Sequence, residues 1–201
     1  MNKGRVYIIS GPSGTGKDSL MKKLFVKMPE LAFSISSITR PMREGEVAGE
    51  KYNFISCESF KQMLANDEFL EYNEYVGNYY GTPKTPVINA IENGKDILIE
   101  VDVNGATKIR EKMPDVVTIF ILPPSLEELK KRLVGRGTDS AEVIEKRLNE
   151  ALREIEGSVD YDYVVVNDDL DKAVDDFINV LNVDKFKTAL NLELINKILN
   201  K

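Results

Sequence analysis

The heptapeptide Gly11-Pro12-Ser13-Gly14-Thr15-Gly16-Lys17 has the residue types and spacing to cradle a phosphate. Its glycines let the backbone curl until successive N–H groups face one anion. The loop follows a short apolar run, Val6-Tyr7-Ile8-Ile9-Ser10, and opens a helical pattern, so a helix N-terminus adds its partial positive charge. Lys17 brings a full charge to the outer phosphates of a nucleotide. A strand before and a helix after form the context that a phosphate loop requires, which argues against a plain Gly-rich turn. The next position normally holds Ser or Thr, whose hydroxyl meets Mg²⁺; here it is Asp18. Two readings stand: Asp18 favours the helix dipole from the first turn, or its carboxylate binds Mg²⁺ directly or through water. A carboxylate at this position also repels the phosphates.

Other residues could do chemistry. Arg40 and Arg43, with the Tyr52 hydroxyl beyond them, can fork onto a dianionic phosphate; the alternative is a pair of surface arginines balanced by Glu44 and Glu46. Glu100 and Asp102 end an apolar run two residues apart, so they point the same way, at the strand end where parallel sheets bind ligands. Lys130, Lys131, Arg132, Arg136 and Arg147 place cations on two helical stretches around Gly135-Arg136-Gly137-Thr138, which reads as a hinged lid. Lys130 and Lys131 read as solvated. The chain has no histidine, which excludes Ser-His-Asp and Cys-His catalysis and His-based zinc sites. Its one cysteine, Cys57, forms no internal disulfide and lacks metal-ligand spacing, so it reads as structural.

These residues need elements to position them. Val6–Ser10, Ala32–Ser36, Ile97–Val101, Val116–Leu122 and Tyr163–Val166 read as strands. Asp18–Lys27, Val103–Lys112, Ser125–Arg136, Ser140–Ile155 and Leu170–Leu181 read as helices between them, the third opening with the capping box Ser125-Leu-Glu-Glu128. Buried strands alternating with helices predict an α/β three-layer core around a parallel sheet of about five strands. Residues 37–95 break the rhythm: exposed strands around Tyr52 and from Tyr72 to Tyr80, a short helix through Phe60 and Leu64, and a helix starting at Thr85-Pro86 with Pro in its first position. The expected division is one domain, with a core at 1–36, 96–134 and 156–201, a small mixed insert at 37–95 and a helical lid at 135–155. In the tail, Phe186, Leu190, Leu194 and Ile198 fall near helical spacing, predicting a helix that packs back on the core or makes a dimer contact.

The 201 residues, 42% hydrophobic and 30% charged, suit one globular domain. The formal net charge of −6 argues against nucleic-acid polymers and anionic membranes as partners, so cations for anionic ligands must cluster locally. The start of the chain has no signal-peptide pattern and no run approaches a bilayer span, so a cytoplasmic location is expected. The chain is expected to be a monomer or a homodimer.

The segment Thr39-Arg40-Pro-Met-Arg43-Glu-Gly45-Glu46-Val-Ala-Gly49-Glu-Lys-Tyr52 resembles the signature of guanylate kinases, Ser-x-x-x-Arg-x-x-Arg-x-Gly-Glu followed by a Gly and then a Tyr. The likeness runs from residue 4 to about 170, through Phe69-Leu-Glu71-Tyr, Gly77-Asn-Tyr-Tyr80-Gly-Thr82, Ile97-Leu-Ile-Glu100-Val-Asp102-Val-Asn-Gly105, Pro123-Pro-Ser125, Gly135-Arg136-Gly137-Thr138 and Val166-Asn167-Asp168. The resemblance implies a P-loop kinase that transfers the γ-phosphoryl group of ATP to GMP or dGMP, with Mg²⁺. It assigns ATP to Gly11 through Asp18, with adenine near Asn167 and Asp168, which could instead cap the next helix. It assigns the GMP phosphate to Arg40, Arg43, Tyr52 and Tyr80. Glu71, helped by Asp102, reads guanine N1 and N2, while Ser36 and Thr82 address O6; the family usually has Ser where this chain has Thr82. Glu100 and Asp102 stand near the acceptor nucleotide and Mg²⁺, which makes Asp102, with Asp18, a candidate metal ligand. Arg136 and Arg147 are the lid arginines that close on the transferring group, and with Lys17 and Arg40 they form the expected catalytic set. Two rivals are a non-catalytic guanylate-kinase-like binding domain, which would lack an intact phosphate loop, and a ribosyl-phosphate kinase, which has no use for a guanine reader.

Overall fold

The computed structural model describes residues 3–135 and 140–199. In chain order the elements are β1 (Val6–Ser10), α1 (Lys17–Lys27), β2 (Ala32–Phe33), β3 (Ser36–Ile38), β4 (Tyr52–Phe54), α2 (Cys57–Ala65), β5 (Phe69–Tyr75), β6 (Asn78–Pro83), α3 (Lys84–Glu92), β7 (Ile97–Glu100), α4 (Val103–Lys112), β8 (Val117–Leu122), α5 (Leu126–Val134), α6 (Ala141–Glu156), β9 (Tyr163–Val166), α7 (Leu170–Asp184) and α8 (Leu192–Ile198). Five strands form a parallel sheet in the order β2-β7-β1-β8-β9. β1 lies at its centre and is buried along its whole length, because helices cover both faces. Its side chains alternate between two cores. Tyr7 and Ile9 pack with Leu20 and Leu24 of α1 and Val174, Phe177 and Leu181 of α7. Val6 and Ile8 pack with Val87 of α3 and Ala106 and Ile109 of α4. A small third cluster, Leu129 and Leu133 against Ala151, joins α5 to α6.

The residues between β2 and α3 build a second, mixed sheet in the order β4-β3-β6-β5. β5 and β6 are an antiparallel hairpin, and β3 pairs antiparallel with β6 and parallel with β4. This is the mixed insert that residues 37–95 suggested, although β3 brings Ser36 into it. The single strand expected over Ala32–Ser36 is therefore two. Ala32 and Phe33 pair with β7, whereas Ser36–Ile38 joins the other sheet.

Other local readings differ from the sequence expectation. α3 begins at Lys84, so Pro86 is its third residue and not its first; its missing N–H still falls in the first turn, where backbone donors have no helical acceptor. α5 keeps half of its capping box: Ser125 accepts from the Glu128 N–H at 3.1 Å, while the Glu128 carboxylate takes Arg132 at 3.1 Å. The tail is helical over Leu192–Ile198, but it does not pack on the core. No residue of α8 is buried, and Phe186, Leu194 and Ile198 are exposed. Cys57 is an exposed free thiol, so it fills no structural position in the interior. No helix among the described residues is long and apolar enough to cross a membrane.

Candidate nucleotide-binding site

The C-terminal ends of β1 and β7 and the near edge of the second sheet border a cleft of about 390 Å³. Gly11, Ser13, Gly14, Gly16, Lys17 and Asp18 line one side; Ser36, Lys51 and Tyr52 come from the insert, Glu100 and Asp102 from the end of β7, and Glu154 from α6. The phosphate loop thus joins β1 to α1 where its sequence placed it. Gly16 has φ 91°, a left-handed conformation, and a Cβ there would lie 2.5 Å from Asn167 Nδ2, so no other residue fits. Thr15 Oγ1 donates to the Pro12 carbonyl at 2.9 Å and closes the turn. Lys17 curls back on the loop, donating to the carbonyls of Gly11 and, at 3.2 Å, Pro12. Burial pushes the Lys17 pKa down, while Glu100, Glu154 and Asp18 oppose that shift.

Arg40 is the hub of the insert's inner edge. Its guanidinium grips Glu46 bidentately, at 2.7 and 2.6 Å, and stacks near the rings of Tyr52 and Phe54. Tyr80 is also within hydrogen-bonding reach of it. The Arg43 N–H donates to the same carboxylate at 2.7 Å, and these bonds depress the Glu46 pKa to about 2. The balancing acid weighed for this pair is therefore Glu46, and it holds the fork that a phosphate would take. The Arg43 side chain is exposed.

Glu71 and Thr82 face each other across β5 and β6 and are both buried. The Thr82 hydroxyl donates to Glu71 Oε1 at 2.7 Å. Its one proton is thereby used, so in this state Thr82 holds the carboxylate and does not make the donation toward O6 that the resemblance implied. Burial raises the Glu71 pKa; the Thr82 bond lowers it and the nearby Asp102 raises it again. Asp102 is the N-cap of α4, its Oδ1 accepting from Gly105 N–H at 2.7 Å, with Asn73 Nδ2 at 3.4 Å from Oδ2. Asp102 lines the same cleft as Asp18 and Glu100, with one carboxylate oxygen engaged by the α4 N-terminus.

Asp18 and Glu100 share one cation. Lys51 Nζ lies 2.5 Å from Asp18 Oδ1 and 2.8 Å from Glu100 Oε2. Burial works against the Lys51 charge, but Glu100 and Asp18 outweigh it and raise its pKa. Among the described residues no three Asp, Glu or Cys side chains converge as a metal site. Two carboxylates around one positive charge still fit Mg²⁺, which draws one or two carboxylates from a protein and completes its shell with phosphates and water.

On the other flank, Asn167 is buried and its Nδ2 donates to the Thr15 carbonyl at 2.6 Å. Asn167 is thus a brace under the phosphate loop. Neither it nor the exposed Asp168 caps α7; Asp169 does, accepting from Lys172 N–H at 2.8 Å. Arg132, read only as one of the cations near the hinge, donates to the carbonyls of Asn167 at 3.0 Å and Thr15 at 3.4 Å. Arg147 on α6 donates to Ser13 Oγ, which brings one expected lid arginine to the loop. The other, Arg136, lies outside the described residues. Sequence reasoning gave no part to Lys51 or Glu154. Lys51 adjoins Tyr52 in the signature, but nothing local announces partners 33 and 49 positions away.

Similarity to known proteins agrees with this geometry. The guanylate kinase family model matches residues 3–183. A guanylate kinase of Neisseria gonorrhoeae is 48% identical over 198 residues, covering 98% of this chain and 96% of its own. One of Carboxydothermus hydrogenoformans is 46% identical over 187 residues, covering 93% and 92%. The crystal structure of the guanylate kinase from Anaplasma phagocytophilum superposes with a TM-score of 0.79 at 32% identity, covering 98% of this chain and 95% of that one. With an intact phosphate loop, a buried carboxylate in the second sheet and a match this long, the chain belongs to the guanylate kinase family and is a nucleoside monophosphate kinase.

Proposed function

We propose that the protein transfers the γ-phosphoryl group of ATP to GMP, and that the two nucleotides meet in the cleft between the phosphate loop and the second sheet. The observation that carries this reading is that Lys17 and Asp18 of the loop line the same cleft as Ser36 and Tyr52 of the insert and Asp102. The loop N–H groups and Lys17 cradle the ATP phosphates, with Asn167 and Arg132 bracing the loop from behind. Lys17 leaves the loop carbonyls to do so. Arg40, Arg43, Tyr52 and Tyr80 hold the GMP phosphate, which replaces Glu46 in the Arg40 fork. Glu71 accepts from guanine N1–H and N2–H₂, held in place by Thr82, with Asp102 beside it and the Ser36 hydroxyl on the O6 side.

A GMP phosphate oxygen attacks the γ-phosphorus, the bond to the bridging oxygen breaks, and ADP leaves. The transition state is loose, so the protein's work is positioning and charge stabilisation, which needs no histidine. Asp18 and Glu100 are the side chains that would hold Mg²⁺, which would supply neutralisation of the phosphate charge. Arg147 already reaches Ser13 and closes on the transferring group, with Arg136 assigned the same part. Closure of insert and α6 excludes water and limits ATP hydrolysis. The two rivals are not favoured: the loop keeps Lys17 and every glycine, and Glu71 is buried as a base reader rather than exposed.

The test measures ADP formation from Mg·ATP with GMP, AMP, CMP and UMP supplied separately. Turnover with GMP alone, lost in Lys17→Ala, is expected. Equal turnover with AMP, or none with any acceptor from folded protein, refutes the reading.

A further inference from the structure

Lys51 stands just before β4, and its side chain crosses from the insert to the core. There it meets a carboxylate from the first turn of α1, Asp18, and another from the end of β7, Glu100. The Lys51 side chain is about one third exposed, Glu100 is largely covered and Asp18 is about two-thirds exposed, so the contact lies at the cleft mouth with Glu100 on its inner side. Its nitrogen occupies a point within 3 Å of two carboxylate oxygens, next to the loop that takes the phosphates. A divalent cation using the same two oxygens would have to stand at nearly the same point, and two cations cannot share it. The pairing also accounts for Asp18. A bare carboxylate one residue after Lys17 would repel a triphosphate, and Lys51 cancels that charge.

We propose that Lys51 is a built-in counter-cation: in the nucleotide-free protein it occupies the divalent-cation position between Asp18 and Glu100, and it gives the carboxylates up when Mg·ATP binds. Lys51 is a positioning residue in this scheme, acting through the two carboxylates. The handover half rests on the reading above that Asp18 and Glu100 hold Mg²⁺. Because Lys51 belongs to the insert, its release also removes one tie between the insert and the core when ATP arrives, while the Lys108 and Lys112 bonds to the β5 backbone remain. A purely structural ion pair predicts something else, a small loss of stability and no change in affinity for a metal ion.

The experiment titrates nucleotide-free protein with Mn²⁺ alone and follows free Mn²⁺ by electron paramagnetic resonance. Removing the competing ammonium in Lys51→Met is expected to tighten Mn²⁺ binding at least about fivefold. Lys51→Arg, which keeps the charge, is expected to bind as weakly as the parent, and adding Asp18→Asn to Lys51→Met is expected to abolish the gain. A Lys51→Met protein that binds Mn²⁺ no more tightly, or a gain that survives Asp18→Asn, overturns the counter-cation. The ligand reading fails by a different measurement: if Asp18→Ser leaves the Mg²⁺ dependence of the rate unchanged, Asp18 does not hold the metal during turnover and the handover is overturned with it.

Discussion

At the scale of single residues, the decisive pair is Glu71 and Thr82. A buried carboxylate that accepts a hydroxyl proton at 2.7 Å keeps one oxygen fixed and leaves the other to meet a base. Guanine offers two adjacent donors to such a group, whereas adenine offers a lone pair at N1. Glu71→Gln replaces an acceptor by an amide, so the preference of kcat/KM for GMP over AMP should fall by at least about tenfold; unchanged selectivity would remove Glu71 from the role. Proton linkage gives the same residue a second signature. Burial raises its pKa, so the folded protein takes up this proton at a higher pH than the unfolded chain does. The cost of burying the charge is therefore present above both pKa values and is relieved as pH falls through the folded one. The protonated group has lost an acceptor, so KM for GMP should rise on that acid limb, and the limb should be missing in Glu71→Gln. The resemblance picked out Glu71 and Thr82 but not their bond, because strand register alone brings residues 71 and 82 together.

At the scale of elements, short-range patterns were readable and long-range ones were not. α4 and β9 lie where the sequence pattern placed them, at Val103–Lys112 and Tyr163–Val166. The phosphate loop was equally legible, since its glycines, lysine and flanking elements are contiguous. The split of Ala32–Ser36 into strands of two sheets was not, because an apolar alternation carries no record of which neighbour it pairs with. The same limit hid the support beneath the loop. Asn167, at the end of β9, and Arg132, on α5, both end on the Thr15 carbonyl, so two elements far apart in sequence fix the loop's shape. Asn167→Ala removes a buried hydrogen bond and should cost about 1–3 kcal/mol in urea unfolding. It should also raise KM for ATP several-fold while leaving KM for GMP unchanged. A parallel rise in both constants would mean that Asn167 supports the whole cleft rather than the loop alone.

At the scale of the whole molecule, the two ends of the parallel sheet do different work. At the C-terminal strand ends the cleft is lined by Lys17 from the loop and Lys51 from the insert, which is how a chain of net charge −6 concentrates positive charge locally for anionic ligands. The opposite end is fastened by a carboxylate. Asp184, the last residue of α7, is fully buried and pairs with Arg5 Nε at 2.6 Å and Lys187 Nζ at 2.6 Å, while Tyr7 Oη donates to Leu181 O at 3.3 Å. This network ties the start of β1 to the end of α7. Beyond it, among the described residues, the hydrogen bonds run to near neighbours, Asn191 Nδ2 donating to the carbonyls of Lys185 and Lys187 at 3.0 Å each. Helical spacing in the tail was legible in the sequence, but period says only which residues share a face, not that anything covers it. The fastening therefore ends at Lys187. Asp184→Ala strands a mostly buried guanidinium and should cost about 3 kcal/mol, discounted for the half-exposed Lys187. For a chain of this length that lowers Tm by roughly 6–12 °C. A chain ended after Lys187 should unfold within about 0.5 kcal/mol of the full one. Thermal unfolding of the two variants decides the matter: if the truncation costs more than Asp184→Ala, the tail has partners that hold it, and the boundary of the folded unit lies beyond Lys187.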